Sequence, residues 1–268
     1  ERGTSATSAR ELAALMVGGD VPELAPSTAK PGRTIFALRN VSTPDREGAP
    51  GLKRVTLELK AGQITGLAGV SGNGQAALSD LVAGLASPDQ GHIHVEGTVP
   101  LRWTPEAAVS AGIARIPEDR HKTGTIADFS LTENAILETY HQRPFSRAGW
   151  MNRAAAEYFT QHIIDTYDVR CPGPDTRIRL LSGGNMQKLI LGRVLEPGPH
   201  VILANQPVRG LDIGAITFVH SRLIAARDAG AAVLLISEDL DEVQRLSDVI
   251  HVVYEGRLSP GFARGSLT

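Results

Sequence analysis

The rhythm of hydrophobic and polar positions changes along the chain. Residues 1–32 carry a brief helical pattern at Leu12, Leu15 and Met16. Gly18-Gly19-Asp20, Pro22, Pro26 and Pro31-Gly32 then break it, so this stretch reads as a tail. From Arg33 onward, residues 35–41 and 53–59 alternate apolar with polar side chains, the pattern of half-buried strands. A turn-rich segment, 44–50, separates them. Residues 63–68 are more continuously apolar, as expected of a strand covered on both faces. A glycine-rich turn, 69–74, runs directly into a helical pattern over 77–85.

The middle of the chain is different. From about 105 to 192 the period is helical, over 105–111, 131–140, 153–167 and 185–195. The last third returns to alternation: strand 201–204, helix 215–226, strand 232–237, helix 240–246 and strand 249–253. Gly230 is placed to stop the longest of these helices. Strands alternating with helices imply a parallel sheet with helices on its faces. The expected architecture is an α/β core interrupted by a helical insertion.

Composition narrows the function classes. The chain has 268 residues, 42% hydrophobic and 21% charged, enough to bury a sizeable core. Lys and Arg number 27 against 29 Asp and Glu, a formal charge of −2, so no bulk attraction to nucleic acid is expected. A lone cysteine, Cys171, excludes an internal disulfide and a cysteine-based metal framework. Apolar runs such as 231–236 are far shorter than the roughly 20 residues a membrane helix needs. The chain opens at Glu1 with neither Met nor a signal peptide and reads as a piece of a longer protein.

Two segments carry candidate chemistry. Gly69-Val70-Ser71-Gly72-Asn73-Gly74 sits between a strand and a helix, the setting in which backbone N–H groups cradle phosphate. The spacing follows a phosphate loop until its last two places. There Gln75 stands for the usual Lys and Ala76 for the usual Ser or Thr. A turn of this kind is also compatible with holding no ligand. The second segment, Leu181-Ser182-Gly183-Gly184-Asn185-Met186-Gln187-Lys188, opens a helix. It pairs a hydroxyl with two glycines at a helix N-terminus, another anion-binding arrangement, although Ser182 could equally be a plain helix cap.

Leu-Ser-Gly-Gly-x-x-Gln about a hundred residues after a phosphate-like loop resembles the signature of the ATP-binding cassette (ABC) family, and the likeness extends over nearly all of 33–258. It implies a P-loop NTPase core of mixed sheet with an antiparallel β subdomain and a helical subdomain at about 105–196, the cassette itself covering 33–268. The family's other landmarks can be placed in order. Asn205 and Gln206 stand where the Mg²⁺-associated Asp and the water-polarising Glu belong. Gly210, Leu211 and Asp212 match the D-loop. Glu238 takes the place of the γ-phosphate-sensing His, and Glu118 that of the Gln between core and insertion. No aromatic residue lies in the loop 43–52, where one would stack on adenine.

The catalytic positions are therefore altered at Gln75, Ala76, Asn205, Gln206, Glu238 and Glu118, while the signature is kept at Leu181, Ser182, Gly183, Gly184, Asn185 and Gln187. Amides keep the shape of the missing carboxylates but are poor Mg²⁺ ligands and very poor bases. In the family, two cassettes pair head to tail and share each ATP. The resemblance thus implies a cassette with a weak site of its own that donates its signature to a partner. ATP is the implied cofactor, with Mg²⁺ only at the partner's site; no metal ligand set is assigned to this chain.

Pro117-Glu118-Asp119-Arg120 and Arg209-Gly210-Leu211-Asp212-Ile213-Gly214-Ala215 resemble the second half of tandem sugar and nucleoside importers, the nucleoside type more closely. Residues 11–18 then look like the end of the preceding cassette. Expected partners are a first cassette, on the same or another chain, permease subunits and, indirectly, a solute-binding protein; nucleic acid is not among them. The expected location is the cytoplasmic face of the cell membrane. The competing readings are a conventional ATPase with relocated groups and a regulatory, non-transport cassette. Trp103 and Trp150 read as packing residues, Cys171 as a loop residue, and Arg120 as an ion-pair partner of Glu118 or Asp119.

Overall fold

The computed structural model describes residues 31–46 and 48–266. The helical pattern around Leu12–Met16 and the expected end of a preceding cassette lie outside them. Strands β1 (Thr34–Ser42), β2 (Val55–Lys60) and β4 (Gln90–Val95) form an antiparallel sheet in the order β2-β1-β4. The main sheet contains β3 (Gln63–Ala68), β5 (Ile113–Ile116), β8 (Val201–Asn205), β9 (Ala232–Ile236) and β10 (Val249–Tyr254). These pair in parallel in the order β10-β3-β9-β8-β5. Two short antiparallel strands, β11 (Arg257–Leu258) and β12 (Phe262–Ala263), extend β10.

The apolar runs form strands because both faces of the main sheet are covered. Side chains alternate between two cores with the period of two that a strand imposes. In β9, Ala232, Leu234 and Ile236 join the core shared with the antiparallel sheet and with helices α1 (Gln75–Val82) and α2 (Pro105–Ser110). Val233 and Leu235 face the other way. There they meet the helices of the second core: α3 (Leu131–Ala135), α4 (Arg153–Thr166), α5 (Gly183–Leu195) and α6 (Ile213–Asp228). A final helix, α7 (Leu240–Leu246), leads from β9 to β10.

Local chemistry sets the helix starts. Thr104 accepts from the Ala107 N–H, with Pro105 opening α2. Ser130 and Glu133 form a reciprocal capping box at α3. Buried Asn134 accepts from the Ile126 N–H and donates to the carbonyls of Ile126, Phe129 and Ser130, which shapes the loop ahead of that helix. Arg193 of α5 donates to the carbonyls of Asn134 (3.1 Å) and Gly124 (3.0 Å). Its burial presses the guanidinium below its ordinary range.

The structure departs from the sequence pattern in the middle of the chain. Residues 113–116, inside the stretch read as helical, are β5, a strand of the main sheet paired with β8. With only four residues, three of them apolar, it carries too little period to be recognised. The helix expected over 131–140 ends at Ala135, after which Ile136 leaves helical geometry. A two-strand hairpin follows, β6 (Ser146–Arg147) with β7 (Trp150–Met151). Trp103 packs as expected, buried and donating to the Leu81 carbonyl. Trp150 does not: it is 83% exposed, because the hairpin strand that carries it has no core beneath it.

Leu203 is 0% exposed between β9 and β5. Leu203→Ala should lower unfolding free energy by about 3 kcal/mol, read as a reduced urea midpoint with an unchanged slope.

Candidate functional site

The C-terminal ends of β3, β8, β9 and β5 lie along one edge of the main sheet, where open α/β sheets place ligands. At the end of β3, the turn Gly69-Val70-Ser71-Gly72-Asn73-Gly74 leads into α1. Gly74 has φ +116°, and a Cβ there would sit 3.1 Å from the Gly256 Cα, so only glycine fits. The neighbouring hairpin turn grips the loop. The Gly256 N–H donates to the Asn73 carbonyl (2.8 Å), and the Glu255 N–H to Asn73 Oδ1 (3.1 Å).

Gln75 bends back over this loop. Its Oε1 accepts from the Asn73 N–H (3.0 Å), and its Nε2 donates to the Val70 carbonyl (2.9 Å). Asn73 Nδ2 donates to the same carbonyl (2.8 Å). One backbone N–H of the cradle is therefore satisfied by the chain itself. Val70, Ser71, Gly72 and Ala76 stay exposed on the rim. In the loop 43–52, Arg46 reaches Asp80 of α1 at 2.6 Å.

Asn205 closes β8 and points its amide toward Ser79 Oγ of α1 (3.4 Å). Gln206 adopts φ +48°; its N–H donates to the Ile236 carbonyl (2.8 Å), and its Oε1 accepts from the Glu238 N–H (3.4 Å). Gln75, Asn205, Gln206 and Glu238 thus occupy adjacent loops. Beneath Glu238 lies a buried polar chain: Ser237 Oγ donates to Glu242 Oε2 (2.6 Å), while His220 Nε2 meets Glu242 Oε1 (2.9 Å). Glu118, at the end of β5, pairs with Arg209.

Ser182 caps α5 by accepting from the Asn185 N–H (3.4 Å) and from Asn185 Nδ2 (3.1 Å). Asn185 Oδ1 in turn accepts from the Arg170 N–H (2.9 Å). The first turn of α5 carries no acidic residue, and of its N–H groups that of Asn185 is already held by Ser182. Leu181 is half-buried on the second core. Gln187 is 2% exposed and donates to the Pro207 carbonyl (2.7 Å), so it ties α5 to the turn after β8. Asp212 caps α6 through the Ala215 N–H (2.9 Å), and a Cβ on Gly184 would lie 3.8 Å from its Oδ2. Gly210 and Leu211 complete that turn.

Arg120 is placed differently from expectation. Arg120 pairs with neither Glu118 nor Asp119; its Nη1 donates to the Arg209 carbonyl (2.8 Å) and its Nη2 to that of Gly210 (3.4 Å). Asp119 instead accepts from the N–H groups of Lys122 and His121, and the Lys122 bond leads in holding its carboxyl below the usual range. Cys171 is a half-buried loop residue whose thiol is pushed up by burial, which argues against a nucleophile.

Taken together, a glycine-rich turn after an inner parallel strand and a second anion-facing helix start define a P-loop type of nucleotide-binding α/β domain. The family model described as "ABC transporter" matches residues 52–209, and the chain belongs to that family. It is 43% identical to the "Guanosine import ATP-binding protein NupO" of Bacillus subtilis over 94% of this chain and 50% of that protein. It is 35% identical to the "Nucleoside import ATP-binding protein NupA" of Lactococcus lactis over 93% of this chain and 49% of the relative. A "Ribose import ATP-binding protein RbsA 2" of Rubrobacter xylanophilus is 34% identical over 98% and 50%. The chain spans about half the length of the curated relatives it matches. Among solved structures, the ATP-binding cassette MJ0796 bound to ADP and Pi superposes with a TM-score of 0.71 at 19% identity, over 85% of this chain and 98% of that one. A nucleotide-free cassette gives 0.70 at 20% identity, over 87% and 92%. Both place the fold.

Gln187→Ala would leave the buried Pro207 carbonyl unpaired. The expected cost is about 1–3 kcal/mol, read as a lower thermal midpoint.

Proposed function

We propose that this chain is the second ATP-binding half of a tandem importer subunit, with a non-hydrolytic site of its own and a signature helix that serves a partner cassette. The observation that carries the reading is the pairing of Gln75 with its own loop, alongside an α5 whose first turn keeps Ser182, Gly183 and Gly184 with no acidic residue. Phosphoryl transfer needs a cation at the β/γ-phosphates, Mg²⁺ and a positioned water. Gln75 offers a neutral amide whose oxygen already occupies one cradle N–H. Asn205 and Gln206 offer amides where a hard cation requires carboxylate oxygens. Glu238 would set negative charge beside a γ-phosphate. This donor set does not fit Mg²⁺–ATP, and no hydrolytic step is assigned to it.

Ser182, Gly183 and Gly184 fit an anion better. A hydroxyl and two glycines meet there at a helix N-terminus, whose Asn185 N–H the hydroxyl already caps. Their part would be to orient a phosphate bound on the partner's loop. Mg²⁺ would then belong to that partner's site.

The relatives' printed functions favour import. NupO, at 43% identity, favours a nucleoside over a sugar, although a glucose-import relative of Haloferax volcanii reaches 36%. No helix among the described residues is long and apolar enough to cross a membrane. In the proposed importer, permease subunits would form the pore and this chain would bind them at the cytoplasmic face. The segment from Glu118 to Thr125 and helix α3 offer a docking face for short permease helices. A cleft of about 290 Å³ is lined by Leu85, Val109, Arg115 and Glu138, the last of these three residues past α3.

Purified alone with Mg²⁺ and ATP, the chain should show turnover no higher than background. Gln75→Lys, Asn205→Asp and Gln206→Glu should each fail to create activity. A wild-type rate comparable to intact cassettes would overturn the reading.

A further inference from the structure

Three segments distant in sequence meet at one guanidinium. Arg120 follows β5, Arg209 and Gly210 follow β8, and Gly183 opens α5. The Arg120 fork donates to the carbonyls of Arg209 and Gly210. It also lies flat against Gly183, where a Cβ would sit 3.0 Å from Nη2 and 3.2 Å from Nε. Gly210 has φ +68°, and a Cβ there would come within 3.6 Å of the same Nη2. Glycine on both sides gives the guanidinium its slot.

The contact is reciprocal. While Arg120 holds the backbone of Arg209, the Arg209 side chain holds the Glu118 carboxylate. Each loop thus supplies one arginine and one acceptor to the other. Arg120 is itself held by its own turn. Thr125 Oγ1 donates to the Arg120 carbonyl (2.8 Å), and Asp119 accepts from two following N–H groups. A Cβ on Gly124 would lie 2.8 Å from the Arg120 Cα, so the backbone is tightly packed there too.

We propose that Arg120 is a positioning residue that locks the loop after β5, the turn after β8 and the N-terminus of α5 into one unit, so that the signature presents its anion-facing groups in a single register. This deepens the proposed donor role and rests on it. Arg120 need not touch nucleotide. Its fork spans two carbonyls, which the single ammonium of lysine cannot reproduce.

The test is ATP turnover by the assembled importer, with Ser182→Ala as the companion variant. Arg120→Ala should lower kcat by about ten- to a hundredfold, the scale of a slight misplacement, with KM for ATP little changed. Arg120→Lys should fall between the two, since it keeps charge and reaches one carbonyl. If Arg120→Ala keeps wild-type kcat while Ser182→Ala loses it, the positioning role is overturned and the donor role stands. If Ser182→Ala also keeps wild-type kcat, the donor role is overturned and the inference falls with it. Should Arg120→Ala fail to fold, Arg120→Lys decides: a wild-type kcat overturns the role, and a reduced one supports it.

Discussion

Parallel pairing of strands buried on both faces is the constraint from which the rest of the molecule follows. β3, β9, β8 and β5 run the same way, so all four must end on the same edge. Their exit loops hold the glycine-rich turn, Asn205 and Gln206, Glu238, and the Glu118–Arg120 corner. None of these needs a special device to find the others, because hydrophobic burial of β8 and β9 brings them together. The tilt and depth of each loop are then tuned locally. The β10–β11 hairpin clamps Asn73, Gln187 anchors α5 to Pro207, and Asp212 caps α6 against Gly184.

Gln75, Asn205 and Gln206 set neutral amides along that edge. Gln75 and Gln206 bond to backbone groups, and Asn205 to the Ser79 hydroxyl. A lysine in the place of Gln75 could donate to a carbonyl but could not accept from a backbone N–H. Gln75 does both, and so closes the loop upon itself. At α5 the first turn carries no acidic residue, and Ser182 caps it through the Asn185 N–H. Under the proposed function, the loop closed by Gln75 and the signature at α5 would play different parts in paired cassettes.

How much was readable in the residues depended on the kind of interaction. Continuous apolar runs marked β3, β8 and β9, because two-sided burial leaves a local imprint. Leu181–Gln187 and Gly69–Gly74 stood out because glycine and hydroxyl residues gather there at or just ahead of a helix start. β5 left no such imprint; it is four residues long and takes its identity from β8. The Arg120 contacts were also hidden, since backbone carbonyls 89 and 90 residues away leave no trace in sequence. The ion pair of Glu118 with Arg209 was hidden for the same reason. The bend of Gln75 was invisible as well, for a missing lysine does not reveal where its replacement turns. Trp150 misled because its apolar character says nothing about whether a core lies underneath.

The central claim, that Gln75 occupies part of its own phosphate cradle, is tested most directly by titrating ATP into the purified chain and into Gln75→Ala. If the amide blocks the cradle, wild type binds weakly and Gln75→Ala binds more tightly, because the Asn73 N–H is released. Tighter binding by wild type than by Gln75→Ala would mean that Gln75 supports nucleotide, and would contradict a self-satisfied loop.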